Sequence, residues 1–161
     1  MDCNVNQKEE FADEFDGSVP LREALVMKRF QRDVMRRGEA LAEVGGVFTN
    51  VPHIVTHHSP TGFEFGYGGS GPADLALNVC QAYLNMQDYR GRKSKCWDGE
   101  CWTLAWVLHQ DFKRDFVAAV PREGATIPFS VLDNWFTLHM TDELVGQCRS
   151  FDEGEYGDVL L

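Results

Sequence analysis

The segment Gly66-Tyr-Gly-Gly-Ser-Gly-Pro-Ala-Asp74 places four glycines within six residues, just ahead of an apolar run. Glycine loses more backbone entropy on folding than any other residue, so such a cluster implies positive φ angles or a close approach of main chains. Pro72 suits the first helical position, where its missing N–H is no loss, with Gly71 as N-cap. Asp74 then stands third in the helix, where its carboxylate can reach back to a free backbone N–H and favour the positive helix end. One chemistry that fits is an anion cradle of backbone N–H groups, with Tyr67, Gly68, Gly69, Ser70, Gly71 and Asp74 around a phosphate or nucleotide. Asp74 would repel that anion, no lysine follows the glycines as in a P-loop, and the spacing is not a dinucleotide fingerprint. The alternative is architectural: a tight strand-to-helix corner packed by Phe63, Phe65 and Tyr67. A nucleophile elbow at Ser70 needs glycine two residues to either side; Gly68 fits and Pro72 does not, although Asp111 and His139 lie downstream.

The other reactive residues form no complete set. Cys96-x4-Cys101 ahead of His109 falls outside the usual zinc spacing and lacks a second pair, so a loop thiol and a partly buried thiol are the plainer reading. His53, His57 and His58 fall on one expected strand with no third ligand, and Glu64 on the neighbouring strand is an available partner for His57. The sequence therefore points to no catalytic residue, no metal and no cofactor.

Basic residues cluster twice. Arg29, Arg32 and Arg36 share one face of an expected helix, and Arg90, Arg92, Lys93 and Lys95 fill a loop flanked by Tyr89 and Trp97. Such groups can meet phosphates, and the flanking aromatics can stack on bases. The net charge of −10 opposes nucleic acid at long range. Residues 1–16 hold six acids against Lys8, and 142–161 hold six against Arg149, so the two ends carry the whole imbalance. Arg29, Arg32, Arg36, Arg92 and Lys93 are accordingly read as contacts for a protein partner, or for the chain's own acidic ends.

The elements that must position these residues follow from the apolar spacing. Ser18 and Pro20 resemble a helix start, and Met27, Phe30, Val34 and Leu41 share a face, predicting a helix to about Leu41. Val47–His58 is rich in β-branched residues and reads as a strand broken at Pro52; Phe63–Tyr67 reads as its return. Helices are predicted over about 73–87, from Asp98 to about Ala119, and from Pro128 through Trp135 and Phe136. The fold class is thus α+β, a β-hairpin over about 47–67 packed on a bundle of about four helices. Residues 1–17 read as a flexible acidic arm, 18–146 as a single domain and 147–161 as an acidic tail.

A chain of 161 residues with 43% apolar and 25% charged residues suits one domain with its own core. The start, Met1–Asp16, is acidic and lacks the pattern of a signal peptide, and no apolar run is long enough to span a bilayer. The odd count of five cysteines then favours reduced thiols in a cytoplasm.

The run Ser59-Pro60-x-Gly62-Phe63-Glu64-Phe65-Gly66-Tyr67-Gly68-Gly69-Ser70-Gly71-Pro72-Ala73-Asp74-Leu75-Ala76-Leu77 resembles the signature of small uncharacterised proteins of tailed phages and bacterial genomes, a domain family of unknown function. Phe112-Lys113 and Val131-x3-Trp135 resemble its later part, so the likeness covers about residues 50–136. Phe65 stands where that signature leads one to expect tryptophan. The resemblance implies a phage or prophage setting in a bacterial host cell and supplies no activity. Together these features predict a non-catalytic accessory protein acting by protein–protein binding, for instance as an inhibitor of a host or defence factor. The alternative is a small-ligand binder or enzyme using the Gly66–Gly71 turn.

Overall fold

The computed structural model describes residues 19–31, 35–37, 40–42 and 45–149. The arm expected over 1–17 lies outside these residues, as do Arg32 and the tail from Ser150 onward. The described chain is α+β, with four α-helices and seven short strands.

Pro20 opens a turn rather than a helix: the N–H groups of Glu23 and Ala24 donate to its carbonyl. Strand β1 (Ala24–Gln31) follows. The helix expected over 18–41 is therefore corrected to a turn and a strand. The misleading feature is that Leu25, Val26 and Met27 are consecutive and all buried. A strand covered on both faces reads as a continuous apolar run, which periodicity cannot distinguish from a helix.

β1 is the centre of a three-stranded antiparallel sheet ordered β4–β1–β7. It pairs with β4 (Gly45–Thr49) from Met27 opposite Thr49 to Gln31 opposite Gly45. It pairs with β7 (Gly124–Pro128) from Ala24 opposite Pro128 to Lys28 opposite Gly124. Between β1 and β4 in the chain lies the ribbon β2 (Met35–Arg37) and β3 (Ala40–Ala42). A second ribbon pairs β5 (Lys93–Lys95) with β6 (Glu100–Trp102). The hairpin expected over about 47–67 starts inside β4, but its partner is β1, and no strand forms over 63–67.

Helix α1 (Ser70–Met86) is buried from Gly71 to Leu84. Burial on every side of it is what a helix that crosses a core shows. Against it lie α2 (Thr103–Phe112), which continues as a π-helical turn over Lys113–Val117, and α3 (Phe129–His139). Leu75, Leu77, Leu84, Leu104, Leu108, Phe112, Leu132 and Phe136 are fully enclosed, joined by Leu25 and Met27 from the sheet. The Tyr83 ring stacks on Phe136 at 3.9 Å, and its hydroxyl donates to Asp133 at 2.7 Å, tying α1 to α3. The last helix, α4 (Asp142–Gln147), is capped by the Thr141 side chain, which accepts from the Leu144 N–H.

One stripe of α1 is polar, and three of its four residues are buried. Asp74, Asn78, Gln81 and the exposed Asn85 recur at helical spacing. The Asp74 carboxylate accepts from the N–H groups of His57, His58 and Ser59 at 2.9–3.2 Å. Asn78 accepts from Ile54 and Val55 and donates to the carbonyls of Val55 and Asp74. Gln81 accepts from the Trp102 N–H, and Asn85 from the Trp102 indole. The β-branched segment after Thr49 thus finds its hydrogen-bond partners on helix side chains, and that is why it forms no ladder.

Candidate functional site

Three groups of side chains lie where chemistry or binding is possible. The first is the glycine corner. Its helix starts at Ser70 with Gly69 as N-cap and no side-chain cap. Asp74 is therefore one turn inside, turned to the 57–59 loop instead of the helix end, and its expected capping role is corrected. Gly66, with φ of +89°, donates its N–H to the Val117 carbonyl, so its conformation locks the corner onto the π-helical turn. At Gly71 an added Cβ would lie 2.7 Å from the Cβ of Glu64, so the loop and helix backbones pack with no room for a side chain.

Beside this corner is a cleft of about 400 Å³. Ser59, Thr61, Phe63, Glu64, Tyr67 and Gly71 are among its lining residues. Of the residues expected around a ligand, Tyr67 and Gly71 line it. Ser70 and Gly68 are exposed, Gly69 is half-buried, and Asp74 is enclosed. Glu64 meets Arg29 through two hydrogen bonds, at 2.9 and 3.2 Å, and the guanidinium lies 4.7 Å from the Phe65 ring centre. Such a paired fork holds the loop to β1. Arg29, expected to face a partner, is thus bound within the chain, and Glu64 is not the partner of His57.

The second group is a histidine–tryptophan cluster. His58 Nε2 and His109 Nε2 are 3.0 Å apart, and the rings stack at 5.2 Å. His109 Nδ1 bonds to the Trp106 carbonyl. That bond takes the Nδ1 proton, leaving Nε2 to accept from His58 and from the Gln110 amide at 3.2 Å. Trp106 packs on both His57 and His58. Burial holds His109 down to about 4 and lowers His58 as well. Both rings are therefore neutral at pH 7, which leaves His109 Nε2 free to accept. No group of three or more metal-binding side chains occurs among the described residues.

The third group is the tip of the β5–β6 ribbon. The Cys96 N–H donates to the Gly99 carbonyl, and Gly99 adopts φ of +95°. Thr56 and Asp98 exchange backbone hydrogen bonds, which fix the tip to the 54–59 loop. Trp97 stands out at 70% exposure, while its own N–H donates to His57 Nδ1 at 3.2 Å. Ile54, 40% exposed, belongs to the same loop that holds the tip. Cys96 and Cys101 share a hydrogen bond at 3.3 Å between sulfurs.

The expected partner-binding cations fall on different elements. Lys93 is exposed, with its ammonium 5.0 Å from the Trp102 ring centre, and Arg92 is half-buried with its N–H on the Cys148 carbonyl. Lys93 opens β5 and Arg92 precedes it, whereas Arg29 lies in β1. Arg36 lies in β2, and Arg32 lies outside the described residues.

The sequence reading missed the His58–His109 pair, because fifty-one positions separate them and nothing local joins them. It passed over the ribbon tip, although Asp98-Gly99 is a turn signal that pairs the residues on either side.

Residues 29–96 match the model of a family of unknown function, DUF6166. No curated protein and no solved structure gives a match. The matched span runs from within β1 to Cys96 at the ribbon tip, and the glycine corner falls inside it.

Proposed function

We propose that the protein is a non-catalytic binding protein that acts through protein–protein contacts, with Trp97 as its anchor. One observation carries this reading: a large aromatic side chain stands 70% exposed on a tip whose backbone is fixed. Exposed tryptophans on rigid supports contribute disproportionately to interfaces, because they bury much area and lose little side-chain entropy on binding. The likeness of residues 59–77 to proteins of phages and bacterial genomes supports an accessory role in a phage or prophage. Inhibition of a host or defence factor is the form that role would take.

The test is affinity capture from bacterial host extract with the wild-type chain and a Trp97→Ala chain, followed by binding measurements on the purified partner. The expected result is a partner whose dissociation constant rises at least tenfold with Trp97→Ala at unchanged thermal stability. A partner that binds both chains equally would overturn the anchor.

The cleft beside the glycine corner favours a second reading, a small-ligand binder. Its lining combines the aromatic rings of Phe63 and Tyr67 with the hydroxyls of Ser59 and Thr61. A thermal-shift screen with nucleotides and phosphate decides it, since a ligand that binds only the folded state raises the midpoint by mass action. No shift at millimolar ligand argues against this reading.

A further inference from the structure

We propose that Cys96 and Cys101 form a reversible dithiol–disulfide pair, oxidised by exchange with a small disulfide such as glutathione disulfide, which staples the ribbon tip that carries Trp97. Both thiols are free, and their sulfurs lie 3.3 Å apart. The register places Cys101 opposite Ser94, and Cys96 is two residues beyond Ser94. Alternation therefore puts both side chains on the same face of the ribbon, as diagonal neighbours. A disulfide bond of about 2.05 Å requires the sulfurs to close by only about 1.2 Å.

The two thiols are unequal in the way exchange requires. Cys96 is half-buried and open to a small disulfide, whereas Cys101 is fully enclosed. The hydrogen bond with Cys101 lowers the pKa of Cys96, against the opposing effects of burial and the charges of Asp74 and Glu100. That same bond, with burial, raises the pKa of Cys101. Cys96 is thus the attacking sulfur and Cys101 the resolving one. Cys80 and Cys148 are enclosed in the core.

The electrons balance over two steps. The Cys96 thiolate attacks one sulfur of glutathione disulfide, and the first glutathione leaves as a thiolate that takes up the proton Cys96 gave up. Cys101 then loses its proton and attacks Cys96 Sγ, and the second glutathione leaves and takes that proton. Two protein thiols are oxidised, and one glutathione disulfide is reduced to two glutathione thiols. The pair does not depend on the binding role proposed above; only the effect of the staple on Trp97 as an anchor rests on that reading.

The experiment equilibrates the full chain in glutathione redox buffers, alkylates the free thiols, and digests with trypsin. Lys95 and Lys113 bracket both cysteines within one peptide. The expected result is that this peptide loses two hydrogens as the buffer becomes oxidising, and regains both alkylation sites on reduction. A Cys101→Ser chain should retain one glutathione on Cys96 where the wild-type chain retains none. A peptide that stays doubly alkylated across the whole series overturns the pair. So does a Cys101→Ser chain, folded by circular dichroism, that carries no more glutathione than wild type. Neither readout involves a partner, so loss of the Trp97 anchor and loss of this pair are separate outcomes.

Discussion

Asp74 is the most constrained side chain of the corner, since three backbone N–H groups converge on its carboxylate within the core. Removing an acceptor from a buried donor costs about 1–3 kcal/mol for the group left unsatisfied. Asp74→Ala is expected to destabilise the fold by about 3 kcal/mol or more, read as a shift in the denaturation midpoint. Asp74→Asn keeps one acceptor oxygen and should cost clearly less; an equal loss for both would show that charge, not hydrogen bonding, governs the site. The histidine pair gives a prediction of different sign. Burial lowers His109 from 6.5 to about 4, so the unfolded chain binds its proton first as the pH falls. The stability contributed by the neutral ring is complete above pH 6.5 and is lost as the pH drops from 6.5 toward 4. His58, lowered by burial, acts in the same direction. The loss from His109 amounts to at most about 3.5 kcal/mol at one pKa unit per 1.4 kcal/mol. Thermal midpoints measured across this window should fall steeply for the wild-type chain and more gently for His109→Gln.

At the scale of elements, the sheet depends on one glycine. Gly124 adopts φ of +105° where β7 meets β1, and a Cβ there would run into the Met27 carbonyl. Both the conformation and the space are denied to any other residue, and the neighbour is backbone that cannot move aside. Gly124→Ala is expected to destabilise by more than about 2 kcal/mol, against a few tenths for Gly46→Ala, where the added Cβ meets nothing within 4 Å. Equal midpoints for the two variants would refute the role given to Gly124. α1 and α3 were legible in the sequence because their determinants are local: α1 has its apolar run and Pro72 at its start, and α3 follows Pro128. The helix expected from Asp98 starts only at Thr103, after β6, and α4 was not read. β1 was not legible. Its pairing with β4 and β7 and the burial of Leu25, Val26 and Met27 depend on distant segments that the local pattern does not reveal. The segment after Thr49 has strand-like residues but no strand, because Asn78 and Asp74 satisfy its backbone from another element. Of the candidate site, the crowding at the glycine corner could be read from composition. The direction in which Asp74 points, the Arg29–Glu64 pair and the histidine pair all depend on contacts between distant segments.

At the scale of the whole molecule, charge and anchor are separate along the chain, and they act on different steps of association. Residues 1–16 and 152–161 together carry nine of the ten net negative charges, whereas Trp97 sits in a region of mixed sign. Long-range charge raises the rate of encounter and is screened by salt, whereas a buried aromatic contact slows dissociation. If the ends present carboxylates in place of phosphates to a basic partner, their deletion should lower the association rate about tenfold or more at low salt and flatten its dependence on ionic strength. Trp97→Ala should leave that rate nearly unchanged and raise the dissociation rate. Stopped-flow or biosensor kinetics on the captured partner, across a salt series, separates the two. Deletion of both ends with no change in association at any salt would remove phosphate mimicry while leaving the Trp97 anchor standing. The reverse pattern would place recognition in the acidic ends and make the ribbon tip incidental to binding.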